Sequence, residues 1–174
     1  LSTRHVPAVL RERREQDIAR LATLLEVIQP IEGYPKSRPE SLEAFVRDRR
    51  VIGAWVIEED GVVMGHALIK QRSLGGIDDI VHEHTTWPKD RLAEISRLFV
   101  ATEARGKGYA RTLLRHCASE ARRLNYLPYL DVDMATPAPR ALYASEGWQS
   151  LAITTLSFSS GISLEVDVMV PPGT

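Results

Sequence analysis

The sequence predicts one domain of mixed α/β class, residues 1–174, built on a central, mostly antiparallel sheet that contains one parallel pair. Three observations carry that expectation. Apolar spacing switches between strand and helix periods in the order β, α, α, β, β, β, α, β, α, β, β. Asp60-Gly61 separates two strand-like runs and marks a tight hairpin, because both central positions of such a turn take positive φ. The strands expected at 94–100 and 127–134 are joined through a helix, and a strand-helix-strand crossover within one sheet makes its two strands parallel.

The elements follow from local chemistry. Val6 to Arg13 reads as a short strand. From Glu15 onward Ile18, Leu21, Ala22, Leu25 and Ile28 fall at helical spacing, and Pro30 is expected to stop that helix. Residues 31–39, with Gly33, Pro35 and Pro39, read as loop, and Ser41 to Arg49 as a short helix turning Leu42, Phe45 and Val46 inward. Val51 to Ile57 and Val62 to Lys70 are the two arms of the hairpin. Gln71 to Leu92 shows no sustained period and carries Gly75-Gly76, Asp78-Asp79, His82-Glu83-His84 and Trp87-Pro88, so it is expected as a functional loop or polar lid. Glu94 to Val100 is a strand. Tyr109 to Leu124 is an amphipathic helix with Ala110, Leu113, Leu114, Cys117, Ala121 and Leu124 on one face and Arg111, Arg115, Arg122 and Arg123 outward; Asn125 stops it. Leu127 to Met134 is a strand and Ala138 to Ser145 a short helix. Leu151 to Phe158 and Ile162 to Val170 close the chain as an antiparallel pair around Ser159-Ser160-Gly161, so helices are expected on both faces of the sheet.

Composition narrows the function. With 22 Lys and Arg against 23 Asp and Glu the net charge is −1, which argues against nucleic acid as the main partner, since phosphate-backbone binding is carried by an excess of basic residues. A single cysteine, Cys117, excludes an intramolecular disulfide framework and fits a reducing compartment; its place on the buried helix face reads as a small core residue. No apolar run approaches the roughly 20 residues that span a bilayer, and Leu1 to Arg20 lacks a basic-then-apolar leader pattern. A cytoplasmic protein without a membrane partner is therefore expected.

The chemistry concentrates between the strand at 94–100 and the long helix, in Arg105-Gly106-Lys107-Gly108-Tyr109-Ala110. A glycine-rich turn entering a helix leaves first-turn N–H groups unpaired at the positive end of the helix dipole, a setting that binds phosphate. Gly106 and Gly108 let the backbone approach an anion, Ala110 keeps the helix start slim, and Arg105, Lys107, Arg111 and Arg115 add countercharge. As a P-loop the turn fails, because Gly108 stands where a Ser or Thr must hold Mg²⁺; as a dinucleotide fingerprint it fails at Arg111, which replaces the third small residue.

The segment resembles the Q/R-x-x-G-x-G/A signature of the GNAT superfamily of N-acetyltransferases. It is preceded by Glu94-Ile-Ser-Arg-Leu-Phe-Val100 and followed, after a helix and a strand, by Ala141-Leu-Tyr143-Ala-Ser-Glu-Gly147-Trp148, which looks like the family's Y-x-x-x-G-F/W element. The element order agrees over nearly the whole chain. The resemblance implies a GNAT-like fold whose parallel strands, 94–100 and 127–134, splay around acetyl-coenzyme A, used as co-substrate without a metal. It implies that Arg105 to Ala110 bind the pyrophosphate, and that a bulged strand uses the main chain of Leu98, Phe99 and Val100 to hold the pantetheine and thioester. Thr136 occupies a place where family members often carry an Asn that touches the pantetheine arm, and its hydroxyl can donate one hydrogen bond there.

Acetyl transfer to an amine needs a proton removed from the ammonium and one delivered to the departing thiolate. By resemblance Tyr143 is the general acid, a role suited to a phenol protonated at neutral pH yet close to a thiol in acidity. Glu94 stands where histone-acetylating members carry the catalytic glutamate; in an alternating strand it shares a face with Ser96 and Leu98 and can act as base, directly or through water. His84, His66, Glu83 and Asp133 are its reserves. His82 and His84 would project to one side of a strand, but no second ligand pair stands at a matching spacing, so no metal is expected. Trp87, before Pro88, can pack over an acceptor or anchor its loop, and the second is expected. The acidic residues at 78, 79 and 83 favour a cationic acceptor, and small-molecule amines, peptide N-termini and lysines all satisfy the chemistry. A second reading on the same fold is a catalytically silent coenzyme A-binding module, and homodimers are common in the family.

Overall fold

A computed structural model of the chain describes residues 6–36, 39–71 and 75–174. Its elements are β1 (Val9–Glu12), α1 (Asp17–Glu32), α2 (Leu42–Arg47), β2 (Val51–Glu59), β3 (Val62–Lys70), α3 (Ile77–Thr85), β4 (Leu92–Val100), α4 (Tyr109–Arg123), β5 (Leu127–Asp133), α5 (Pro137–Ser145), β6 (Gln149–Ser157) and β7 (Ser163–Val170). Short 3₁₀ turns at Lys89–Arg91 and Thr102–Ala104 bracket β4. The strands form one seven-stranded sheet in the order β1-β2-β3-β4-β5-β7-β6, mixed and mostly antiparallel, with β4 and β5 the parallel pair.

Local signals explain most boundaries. Asp60 (φ +51°) and Gly61 (φ +77°) turn the β2–β3 hairpin, and Asn125 (φ +64°) ends the α4 segment in the left-handed region. The Ser41 hydroxyl accepts the Ala44 N–H and caps α2. Two expectations give way. Pro30 does not stop α1: the helix runs to Glu32 and closes at Gly33, whose N–H donates to the Gln29 carbonyl. Glu26, Val27 and Pro30 are exposed, so water can satisfy the carbonyl that the missing Pro30 N–H leaves open. The stretch expected as an unstructured lid contains α3, with Ile77 and Val81 fully buried one turn apart and packed with Leu92, Tyr129, Leu156 and Val168; residues 72–74 of that stretch lie outside the described residues. Trp87 packs against the same cluster. β1 is confined to Val9–Glu12 within the longer strand expected, and Leu124 is 37% exposed just past the buried face of α4.

Helices cover both faces. α4 lies on the face that carries Trp55, Gly65 and Ala67, with His116 edge-on to Trp55 and Leu113 against Gly65. Cys117 is fully buried there, and burial pushes its thiol well above the ordinary range. The opposite face carries His66, Phe99, Glu94 and Tyr129, and lies beneath the α1–α2 region and α3.

Two irregularities in β4 shape the site. His66 pairs with Phe99 and Leu68 with Ser96, so Arg97 and Leu98 together oppose the single residue Ala67, a β-bulge with Arg97 at φ +54°. The extra residue shifts the alternation, so Phe99, not Leu98, continues the face of Glu94 and Ser96. Parallel pairing stops at Glu94↔Tyr129, after which β4 stays with β3 and β5 with β7. The backbones of Ile95–Val100 and Leu130–Asp133 therefore flank a cleft.

Candidate active site

The turn from Arg105 to Ala110 opens at one end of this cleft. Gly106 and Gly108 sit at φ +78° and +80°, a region open to glycine, and a Cβ added at either would meet no atom within 4 Å. Gly108 is the α4 N-cap without a side-chain cap, and among the described residues the N–H groups from Gly106 to Arg111 have no hydrogen-bond acceptor. The turn is thus an open concavity lined with unpaired donors at a helix N-terminus, and it can hold a diphosphate. Its cations are already engaged. Arg105 pairs with Glu32, Lys107 holds both oxygens of Glu59 at 2.8 Å, and Arg111 and Arg115 share Glu146. The Tyr109 hydroxyl also donates to Glu59, at 3.0 Å. Surface ion pairs of this kind contribute little, so a bound polyanion can exchange for the carboxylates at small cost.

Deeper in the cleft, β4, β5 and α5 bring together residues that lie far apart in sequence. Glu94 and Asp131 meet as hydrogen-bonded carboxyls; burial first, then the Asp131 charge, raises the Glu94 carboxyl well above the ordinary range, while Lys70 and Arg97 pull it down. Burial raises Asp131 too, opposed by the hydrogen bond from Glu94 and by Arg97. Tyr143 is 8% exposed and tilts against Trp148; burial, with Tyr34 and Asp131 nearby, raises its phenol above the ordinary range. Tyr34, from the α1–α2 loop, packs on Phe45 and Phe99, and burial pushes its phenol up to about 12.

A polar network holds the bulge. His66 is fully buried, with Nε2 3.0 Å from an Arg13 guanidinium nitrogen and Nδ1 2.8 Å from the Arg97 carbonyl. Arg13 can only donate, so Nε2 accepts and Nδ1–H donates to Arg97. Burial lowers this imidazole to about 3. With both nitrogens occupied, His66 is no reserve base. Arg97 stacks over Phe45, donates to the Phe45 carbonyl at 3.0 Å and lies 3.1 Å from Asp48, which also takes Lys70 at 2.7 Å.

The remaining candidates are placed as follows. Thr136 stands at the N-cap position of α5 without a side-chain cap bond and donates to Asp133 at 3.3 Å, so the hydroxyl expected to reach the pantetheine arm is turned to its neighbour here. Asp133 also pairs with Lys36; despite burial, that contact, the Ala135 N–H and Thr136 hold its carboxyl below the usual range. Glu83 and His84 are exposed on α3. His82 and His84 stand on a helix, not a strand, so two-residue spacing does not align them; each Nδ1 faces a carbonyl, of Trp87 and Ile80. Among the described residues no group of three or more His, Cys, Asp or Glu could hold a metal. Sequence reasoning missed Asp131, Tyr34 and Arg97. The one available signal was Asp131-Val132-Asp133, two carboxylates alternating in an otherwise apolar strand.

Comparison with known proteins adds the following. The family model described as "Acetyltransferase (GNAT) family" matches residues 18–148. No curated protein matches the sequence. Among solved structures, yncA of Salmonella typhimurium, determined with acetyl-CoA, superposes with a TM-score of 0.68 at 22% identity over 93% of this chain and 91% of its own. The ribosomal-protein-alanine N-acetyltransferase of Brucella melitensis gives 0.70 at 22% identity over 92% and 97%. NAA60 of Arabidopsis thaliana, in complex with acetyl-CoA, gives 0.71 at 18% identity over 94% and 97%. At these identities the likeness is one of fold.

Proposed function

The chain belongs to the GNAT acetyltransferase family, and on that premise we propose that it transfers the acetyl group of acetyl-coenzyme A to a primary amine by direct attack in a ternary complex. The observation that carries the reading is the cleft itself, with a diphosphate-competent turn at one end and a carboxyl site and a phenol deep within. The N–H groups of Gly106 to Arg111 would receive the pyrophosphate, and Arg105, Lys107, Arg111 and Arg115 would exchange their carboxylate partners for it. The bulged main chain of Leu98, Phe99 and Val100 borders the cleft where the pantetheine arm and thioester would run, and a backbone N–H there would stabilise the developing oxyanion. Proton removal from the acceptor falls to the carboxyl site at Glu94, and proton delivery to the departing sulfur to Tyr143. The chain works in this reading as a single domain.

Acetyl-coenzyme A should raise the melting temperature, since a ligand bound to the native state alone stabilises it by mass action. Gly108→Ala keeps the fold at a modest cost for its positive φ and puts a methyl group into the open concavity. The thermal shift should then shrink or vanish. An undiminished shift in folded Gly108→Ala would move the phosphate site elsewhere.

A further inference from the structure

We infer that His66 and Arg13 are positioning residues of this acetyl transfer: through the Arg97 carbonyl they hold the bulged Arg97–Leu98 peptide of β4 so that its N–H faces the thioester. The inference rests on the acetyltransferase reading above. Its first support is the register of β4. Ala101 donates to the Met64 carbonyl at 2.7 Å, and the β3–β4 pairing continues unbroken through Gly65↔Val100 to His66↔Phe99. Hydrogen-bonded and non-bonded pairs alternate in an antiparallel ladder, so Phe99 turns its main-chain groups to β3 and Leu98 turns its N–H the other way, to the cleft. The peptide between Arg97 and Leu98 is trans, which puts the Arg97 carbonyl on the β3 side. There it accepts the His66 Nδ1–H at 2.8 Å.

The second support is how firmly the imidazole is held. It is fully buried and stacks on Phe99, with ring centroids 5.3 Å apart. A neutral imidazole can carry its proton on either nitrogen. Arg13, which only donates, claims Nε2 at 3.0 Å and so leaves the proton on Nδ1, where the Arg97 carbonyl needs it. Arg13 is itself tethered. Its guanidinium donates to the carbonyls of Val46 at 2.7 Å and Arg47 at 3.2 Å, and Arg97 donates to that of Phe45 at 3.0 Å. A helix leaves its last carbonyls without intrahelical partners, so the two arginines satisfy the end of α2 and dock it against the bulge.

The bulge needs such a brace, because Arg97 sits at φ +54°, in the left-handed region that a branched side chain rarely adopts. Backbone of this kind persists only where its surroundings over-determine it, and His66 grips the carbonyl of that same residue. The relay adds no proton step to the reaction. As the amine nitrogen bonds to the acetyl carbon, the carbonyl oxygen gains negative charge; the carbon–oxygen double bond re-forms as the carbon–sulfur bond breaks and its electron pair leaves on sulfur. The Leu98 N–H is a donor placed for that oxygen before the charge develops. Without His66 the peptide can tilt, and the donor loses its aim.

The test is isotope-edited infrared spectroscopy of bound acetyl-coenzyme A, labelled with ¹³C at the thioester carbonyl, with the thermal shift by the same compound measured on each sample. In wild type the carbonyl band should fall below its frequency in free acetyl-coenzyme A, since a hydrogen bond weakens the C=O bond. His66→Phe keeps a ring against Phe99 and removes both hydrogen bonds; its band should return toward the free position while the thermal shift persists. Arg13→Lys, a milder change, should return the band part of the way, and the double variant should go no further than His66→Phe, because both act through one carbonyl. If His66→Phe does not fold, Arg13→Lys carries the test alone. A wild-type band at the free position, or a lowered band undiminished in the folded variants, would overturn the inference. Absence of any thermal shift in wild type instead sinks the acetyltransferase reading. With an acceptor in hand, His66→Phe should lower kcat by roughly 10- to 10²-fold per folded molecule with both KM values nearly unchanged. A variant that loses stability alone and keeps the wild-type kcat would contradict the role.

Discussion

Tyr143 and His66 show how two buried polar side chains acquire different tasks from their surroundings. Burial holds the Tyr143 phenol neutral beside the cleft, so Tyr143→Phe should lower kcat by roughly 10²-fold, the lower end for general acid catalysis, with acetyl-coenzyme A affinity unchanged. Unchanged turnover would reduce the phenol to a packing group. His66 is paired at both nitrogens and serves the bulge. Its pKa is lowered from 6.5 to about 3 by burial, so between those values the unfolded chain binds a proton that the native protein refuses. Stability from this group is intact above the unfolded value and is lost as pH falls through that window. His66→Gln should cost roughly 1–3 kcal/mol at pH 7, because one amide cannot satisfy both partners, yet it should remove this part of the acid sensitivity. Urea unfolding at pH 7 and pH 4.5 checks both, and equal pH slopes for the two proteins would contradict the assignment.

At the level of elements, what was legible in the sequence was what local chemistry decides. Asp60-Gly61 and the apolar face of α4 each act within a few residues, and each is where the residues indicated. The helix α3 was hidden because only Ile77, Ile80 and Val81 mark its inner face, among acids and histidines that suggested a lid, and because its N-cap is Gly76 without a side-chain bond. Pro30 misled for a related reason: whether a proline ends a helix depends on what solvates the carbonyl it leaves open. Pro30→Ala should restore a main-chain bond in the last turn of α1 and stabilise the protein by about 1 kcal/mol, less than the full interior penalty. No gain in the unfolding midpoint would show that Pro30 fits its turn without cost. The β4 bulge depends on His66, an acceptor-donor chain from another strand, and no property of Arg97 alone announces it. The same holds for the candidate site. The phosphate turn and Tyr143 stand in contiguous motifs, whereas the pairing of Glu94 with Asp131 depends on the register of β4 against β5.

The whole molecule divides the labour between its layers. α4 covers one face of the sheet and presents the turn, the α1–α2 region and α3 cover the other, and the parting of β4 from β5 joins the two functions in one cleft. No helix among the described residues is long and apolar enough to cross a membrane. The central claim is that this cleft carries an amine and a thioester at once. The most direct measurement is free-thiol release from acetyl-coenzyme A across a panel of primary amines, with acetylated product quantified and both substrate concentrations varied. Release should depend on the amine, match the acetylated product one for one, and give intersecting double-reciprocal lines as a ternary complex requires. If acetyl-coenzyme A raises the melting temperature yet no amine drives thiol release above hydrolysis, the chain is a coenzyme A-binding module and the catalytic account is contradicted.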